Sequence, residues 1–496
     1  MAFNPEDKKR SIIPRWRPFS ATLRAGELEA LAPVAPVADL GSYAEFEVKR
    51  REWKQRRTLV FAQQLIGSAI VYKRQDHVDV KDAVDFVRRS RDATVVAKYL
   101  AKRASGNLLI SASDTDWCAL IRRSRAKTRT LPYSPLPWID LALGYTISGK
   151  ISQARRAILT AVRHAPNSRF VLRSATRFFV HTKELDFAHD ILCRADSVTH
   201  DPMLLASEAA VAFAADRHPR FFRTAKTIVN SRNFSEHHLS ELLAALGTIE
   251  LYSGRHRLAR KHFNRSLAHP NENVTAQARW ASSQGLAIEM SPEILGIQSG
   301  FEARAWMSRY SGDWRASVEN CNQWLKFQSF DSAPAILGSY VFSVVLRDHM
   351  SAIEIIRRGL HANPTDPRLL NNLAFSAACS ADFELARSSL RRIKASQSSE
   401  LSVYKMATTG LLQYRRGYVE QGRQCYSQAA EMARHLGDRE LLKRLVVFWA
   451  IEEMRSGGSV SDPIPTRALH LTQSESDLVI RLLVKRVSSV GHCSGH

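Results

Sequence analysis

Residues 138–166 open with Trp138-Ile139-Asp140-Leu141-Ala142-Leu143-Gly144-Tyr145 and run through Gly149, Ala154, Ile158 and Ala161 to Pro166. Trp138, Leu141 and Tyr145 recur three and four apart, which places them on one face of a helix. Gly149 falls where that helix has to turn back, a place for a residue that takes positive φ cheaply. Ala154 and Ala161 lie seven apart on a second helix and are small enough to let the first approach closely. Pro166 stops the second helix. The stretch predicts an antiparallel helix pair that cannot bury its apolar face alone and needs neighbours.

The neighbours are in the sequence. One period on, Leu172, Phe179, Ala188, Leu192 and Ala195 take the corresponding positions, with Pro202 closing slightly late. Leu243, Leu246, Gly247, Gly254, Ala259 and Phe263 form another unit. A third has Ala352, Ile356 and Pro364, followed in register by Leu370, Leu373, Ala374, Ala386 and Leu390. Gly410, Gly417, Tyr426 and Ala429 mark a later unit, whose second helix runs to Gly437-Asp438. Segments 203–237 and 274–332 keep helical periodicity but lose the signature, with Gly312, Trp314 and Ser317 in a degenerate repeat. The pattern Trp138-x2-Leu141-Ala142-x2-Tyr145 … Ala154-x3-Ile158 … Pro166 resembles the tetratricopeptide repeat, W-x2-L-G-x2-Y…A-x3-F…P. The resemblance covers about 135 to 455, with some five recognisable units and two or three worn ones. It implies an all-α fold, a superhelical solenoid of helical hairpins, and a surface that binds a protein or peptide without saying which.

Length agrees: 496 residues exceed one compact core, whereas a solenoid grows by stacking. No run of 18 uncharged apolar residues offers a membrane span, and the basic start (Lys8, Lys9, Arg10) lacks the apolar run of a secretory signal. Six scattered cysteines, with no CxxC pair, read as small buried hydrophobes in a reducing cytoplasm. His492-Cys493-x2-His496 offers metal-ligand types, but its Ser and Gly flanks read as a disordered tail, so no metal site is expected.

The charge is uneven. Residues 1–134 hold 26 Lys and Arg against 15 Asp and Glu, a net of +11 out of +23 for the whole chain. The densest run is Lys49-Arg50-Arg51-x2-Lys54-x-Arg56-Arg57, on a helix whose other face carries Tyr43, Phe46, Trp53 and Val60. Arg88-Arg89-x-Arg91 is a second cluster. Arg122-Arg123-x-Arg125-x-Lys127-x-Arg129, just before the first repeat, is a third. Such clusters attract polyanions through phosphate contacts and counterion release, so DNA or RNA is a candidate partner of residues 1–134. A solvated helix face or a dock for an acidic protein accounts for them equally.

Four segments are expected: an extended Pro-containing arm and linker over 1–41, a basic helical domain over 42–134, the repeat array over 135–455, and a polar linker with a short capping helix and disordered tail over 456–496. In the arm, two prolines bracket Arg15-Trp16-Arg17, which predicts extended chain. It either wraps its own basic domain or docks into a partner's groove. Ala32-Pro33 to Pro36-Val37 reads as a stiff linker. Residues 42–75 and 80–104 read as helical, the second region split at Ser90–Ala93, and a helix near Asp477 to Val487 either caps the array or stays mobile.

No catalytic set emerges, and no cofactor is implied. Gly144-x4-Gly149-Lys150 resembles a phosphate loop but has Ile151 where Ser or Thr must hold magnesium, and it follows a helix. In the resembled family the first helix of each repeat lines the groove. By position this implies Arg173, Arg177 and His181 in the second unit, Arg368, Asn371, Asn372 and Phe375 in the strict pair, and Tyr414 and Arg415 in the late unit. Asn371-Asn372 resembles the asparagine that grips a peptide backbone in chaperone-tail-binding members. The expected function is a non-catalytic scaffold or adaptor that binds a protein or peptide in the groove. The alternative is a nucleic-acid-associated or regulatory protein whose basic domain holds DNA or RNA. The long late repeat favours a third reading, a peptide-responsive regulator.

Overall fold

The structure is a computed structural model that describes residues 10–18, 44–71, 74–105, 117–231, 233–297, 299–394, 399–473 and 477–490. The Ala32–Val37 linker, Tyr43 and the His492–His496 tail lie outside them. Every regular element among the described residues is a helix, and most of the helices pair as antiparallel hairpins. The chain divides into two compact units, Lys9–Ile294 and Leu295–His496.

In the first unit, α1 (Ala44–Gln55), α2 (Leu59–Val71), α3 (Val78–Arg89) and α4 (Val95–Ala104) close around Phe46, Trp53, Leu65, Ile66, Val80 and Val87. The single helix expected over 42–75 breaks at Arg56–Thr58, where Phe61 N–H caps onto Thr58 Oγ1. Val60 therefore leaves the Phe46–Trp53 face and is 62% exposed. α5 (Trp117–Thr130) turns Leu120 and Ile121 toward the repeats, where Ile121 lies against Gly144 so tightly that a Cβ there would sit 2.7 Å from its side chain.

The repeats follow as α6 (Pro135–Ile147) with α7 (Ile151–His164), α8 (Arg169–His181) with α9 (Leu185–Arg194), α10 (Pro202–Ala214) with α11 (Phe222–Asn230), and α12 (Glu236–Tyr252) with α13 (His256–Ser266). α14 (Glu272–Ser283) is a first helix followed only by a single helical turn, Pro292–Leu295. Leu286, Ile288, Met290 and Ile294 of the following segment cover its apolar side. In the second unit α15 (Phe301–Ser311) pairs with α16 (Trp314–Phe327), α17 (Ala333–Tyr340) with α18 (His349–Ala362), α19 (Pro367–Cys379) with α20 (Phe383–Arg392), α21 (Ser399–Arg415) with α22 (Val419–His435), and α23 (Arg439–Arg455) with α24 (Pro463–Leu471). α25 (Leu478–Val490) follows. Residues 456–473, read as polar linker, thus contain α24, which buries Pro465 and Ala468 behind the N-terminal residue Pro463.

The worn segment 203–237 contains a complete hairpin, α10 with α11, whose turn is held by Asp216 rather than glycine. A first helix must end on one residue of positive φ before the chain reverses. Gly149, Gly254, Gly312 and Gly417 fill this place in four turns, and Lys183, Asp216, Arg347 and Ala381 take the same left-handed conformation in four others. In the second unit the next residue caps the following helix: Asp313, Asp348 and Asp382 each accept a main-chain N–H three residues on.

Candidate functional site

The segment 10–18 forms no helix or strand, has one tight turn where Ile13 N–H donates to the Ser11 carbonyl oxygen at 2.9 Å, and its burial alternates: Ile12, Pro14, Trp16 and Pro18 are buried, while the odd-numbered residues between them are half-buried. Alternation of period two means one edge of the segment rests on a surface. The surface is the face of first helices in its own unit. Ile12 and Trp16 are each 2% exposed. Ile12 joins the cluster that holds Ala209 and Ala210 of α10, Ala244 and Ala245 of α12, and Trp280 of α14. Trp16 meets Phe178 of α8 edge to face, ring centroids 6.2 Å apart.

Polar groups of α14 grip the segment's main chain. Asn273 Nδ2 donates to Ile13 carbonyl oxygen at 3.0 Å, and Gln277 Nε2 donates to Arg10 carbonyl oxygen at 3.1 Å. Gln277 Oε1 accepts from Arg10 Nε at 3.2 Å, and its amide nitrogen also reaches Thr248 Oγ1 of α12 at 3.0 Å. Arg17 forms an ion pair with Glu272 at the start of α14. Small alanines on α10 and α12 leave room, an amide pair reads the backbone, and one carboxylate reads a cation. These parts can hold an extended peptide. The site uses Asn273 and Gln277, the second and sixth residues of a first helix that lacks the repeat signature.

The residues expected to line the groove are placed on α8, α19 and α21. Arg173 is committed to Glu241 of α12 at 2.7 Å, and it also donates to the Met203 carbonyl at 3.1 Å. Burial works to lower the Arg173 pKa, but Glu241 outweighs it and holds the guanidinium charged. Arg177 and His181 stand half-buried on α8, on the helix that carries Phe178. Asn371 and Asn372 are fully buried, and Asn372 Nδ2 donates to Ser339 Oγ of the preceding first helix at 3.2 Å. Phe375 is buried against Phe448, centroids 5.7 Å apart, and only Arg368 of that group is exposed. Tyr414 Oη donates to Glu453 at 2.7 Å, and Arg415 holds Glu452 in a bidentate pair, both oxygens at 2.7 Å. Asn372, Phe375, Tyr414, Arg415 and Arg173 thus each contact a helix of another repeat. A side chain on a first helix can point at the groove or at the next first helix, and a linear pattern does not separate the two.

The second unit also carries one of its own segments. α25 buries Val479, Ile480, Leu483 and Val487, spaced one, three and four apart on a single stripe. Asp477 pairs with Arg309 of α15 at 2.9 Å. Arg486 donates to the carbonyls of Val344 and Val345, both at 2.7 Å. Those carbonyls belong to Val341–Leu346, a π-helical turn at the end of α17 whose last carbonyl groups need outside donors.

The basic clusters divide. In α1, Lys49 pairs with Glu52, Arg50 with Glu47 and Asp79, and Lys54 with Asp79, while Arg57 reaches Asp82 from the turn after it. Arg51 and Arg56 are exposed. α5 presents exposed Arg122, Arg123, Arg125, Lys127 and Arg129, and it contains no acidic residue. Arg125 also lies over the Tyr145 ring at 5.3 Å and donates to Tyr145 Oη at 2.8 Å.

Among the described residues, one trio of ligand types comes together in space: His189 and Cys193, four apart on α9, with Glu208 of α10. The protein itself supplies their partners. Glu208 accepts from Arg220 main-chain N at 2.7 Å and contacts His189 Nε2 at 3.0 Å. Burial, followed by Glu208, pushes the Cys193 thiol up and away from the thiolate a metal requires.

No family model and no curated protein matches the chain. Among solved structures it is similar to the APC/C hetero-tetramer Cut9-Hcn1, with a TM-score of 0.31 and 13% identity over 89% of this chain and 92% of that one. It is similar to yeast Tom70 at 0.32 and 12%, over 87% and 95%. It is similar to the human IFIT1 dimer with PPP-AAAA at 0.33 and 10%, over 93% and 99%. At these values the likenesses carry no functional argument, and the function has to be read from the chain's own surfaces. No helix among the described residues is long and apolar enough to cross a membrane.

Proposed function

We propose that the chain is a non-catalytic protein-interaction scaffold that holds an extended peptide segment of a partner protein on the first-helix face of α8, α10, α12 and α14. One observation carries the reading: Asn273 and Gln277 hydrogen-bond two main-chain carbonyls three residues apart in a segment that is neither helix nor strand. Main-chain recognition by side-chain amides on a helical surface is a peptide-binding device, because it holds any sequence whose side chains fit. Arg177 and His181 lie on the same helix as Phe178 and extend this face. Arg368 is the exposed cation at the corresponding helix start in the second unit. The test is affinity purification of the full chain beside an Asn273→Ala, Gln277→Ala variant of equal thermal stability. Partners of this face should be recovered with the parent chain and drop at least tenfold with the variant. Identical recovery with both chains would refute the reading.

A second reading has its own observation. The α5 surface places five cations on a helix without a carboxylate, next to Tyr145, which suits a nucleic-acid backbone. In this reading residues 42–134 are the basic part. Changing Arg122, Arg123 and Arg125 to Glu should then abolish salt-sensitive RNA or DNA retention. Changing Arg50 and Arg57, which already have carboxylate partners, should weaken it less. Retention that is unchanged in both variants would remove nucleic acid from the account.

A further inference from the structure

The proposal above leaves the first-helix face of α8–α14 with an occupant, and the occupant belongs to the chain. We infer that residues 10–18 are an exchangeable internal ligand, and that the face selects partners with the same chemistry: an extended segment with apolar residues at alternate positions, one of them an aromatic flanked by arginine. This inference rests on the peptide-scaffold reading and names its ligand class and its regulation.

Three features separate a ligand from an ordinary piece of core. First, the segment makes no regular secondary structure with the repeats, and its main-chain links to α14 run through two side-chain amides. Helical repeats stack through their own first and second helices and do not need it. Second, the recognition is modular along the segment. Ile12 fills the alanine-floored cluster, Ile13 and Arg10 offer carbonyls, Trp16 meets Phe178, and Arg17 meets Glu272. Each element is a side-chain or backbone feature that a segment from another protein can supply. Third, the bracketing prolines Pro14 and Pro18 are both buried on the surface and fix extended geometry before docking, which lowers the ordering cost for this segment and for any partner that shares it. A partner reaches the face only when residues 10–18 leave, so its apparent affinity is reduced by the fraction of chains in which the segment is docked.

The test is a titration of a dye-labelled synthetic peptide of residues 10–18 by fluorescence anisotropy. One receptor is the full chain. The other is the full chain with Ile12→Ala and Trp16→Ala, checked for unchanged helicity and thermal midpoint. The inference predicts binding to the substituted chain at least tenfold tighter than to the parent. Equal binding to both would overturn the internal-ligand claim, and binding to neither would overturn the proposed ligand chemistry. In the second case, partner recovery that still depends on Asn273 and Gln277 would leave the scaffold reading standing. A charge exchange checks register without relying on the apolar substitutions. Glu272→Arg, placed in the substituted chain, should weaken the native peptide, and a peptide with Arg17→Glu should restore binding. Failure of that restoration would overturn the docking register.

Discussion

Trp16→Ala should release residues 10–18 from the repeats without unfolding them. Trp16 is 2% exposed, so nearly its whole side chain is out of water, about 150–250 Å² for a tryptophan. At about 25 cal/mol per Å² this corresponds to roughly 4–6 kcal/mol. That figure is an upper bound, because the released segment keeps part of its apolar surface covered. Against it stands the ordering of nine residues, at roughly 1–2 kcal/mol each for the backbone. The docked state is therefore a small difference between large quantities, and a loss of even about 3 kcal/mol moves its equilibrium more than a hundredfold. The repeats gain no cavity at their centre, since Phe178 keeps Phe179 beside it at 5.0 Å between centroids. The assay is limited trypsin digestion followed by mass spectrometry at the Arg10–Ser11 bond, which is common to both chains. Cleavage should be at least tenfold faster in the variant, with the thermal midpoint of the repeats unchanged. Equal cleavage rates would show that Trp16 does not hold the segment, and the energetic reasoning would fail.

Other outcomes follow from the repeats themselves. A Cβ at Gly422 would lie 2.4 Å from the Tyr414 ring, so Gly422→Ala should cost about 1–3 kcal/mol by overpacking and lower the midpoint measured by circular dichroism. Ala381 has φ of +64°, so Ala381→Gly should be neutral or stabilising by up to about 1 kcal/mol, unlike an ordinary helix-end substitution. Burial works to raise the Glu453 pKa, but hydrogen bonds from Arg423 and Tyr414 outweigh it and hold the carboxyl below its usual range. A carboxyl whose folded value is lowered contributes its stability above the unfolded value, about 4.3, and loses it as pH falls through the folded one. Glu453→Gln should therefore narrow the midpoint difference between pH 7 and pH 3, and an unaltered difference would count against that network.

The hairpin architecture was legible because Trp138, Leu141 and Tyr145 repeat at helical spacing and Gly149 marks the turn. What escaped sequence reading has physical causes. Lys183, Asp216, Arg347 and Ala381 hold turns that glycine marks elsewhere, so the hairpin at 202–230 looked worn although it is whole. The non-helical conformation of 10–18 was readable from Pro14 and Pro18, but its docking surface was not. Asn273 and Gln277 lie some 260 residues away in sequence, and nothing local ties them to Arg10 and Ile13. The sequence offered the basic domain or a partner's groove as the surface for this arm, and the structure seats it on the repeats. The groove residues carried over by position mostly stabilise neighbouring repeats, because Asn372 and Ser339, or Arg415 and Glu452, satisfy each other across the stack. A buried amide or guanidinium paired in this way is costly to expose.

The most direct measurement is site-specific photo-crosslinking of the full chain with p-benzoylphenylalanine in place of Ile13, half-exposed beside Asn273. Mass spectrometry should find the adduct on residues 272–283 within the same chain, and saturation with the 10–18 peptide should reduce it. Adducts confined to residues 44–130, or none on α14, would contradict the claim that this face is a peptide site already filled by the chain itself.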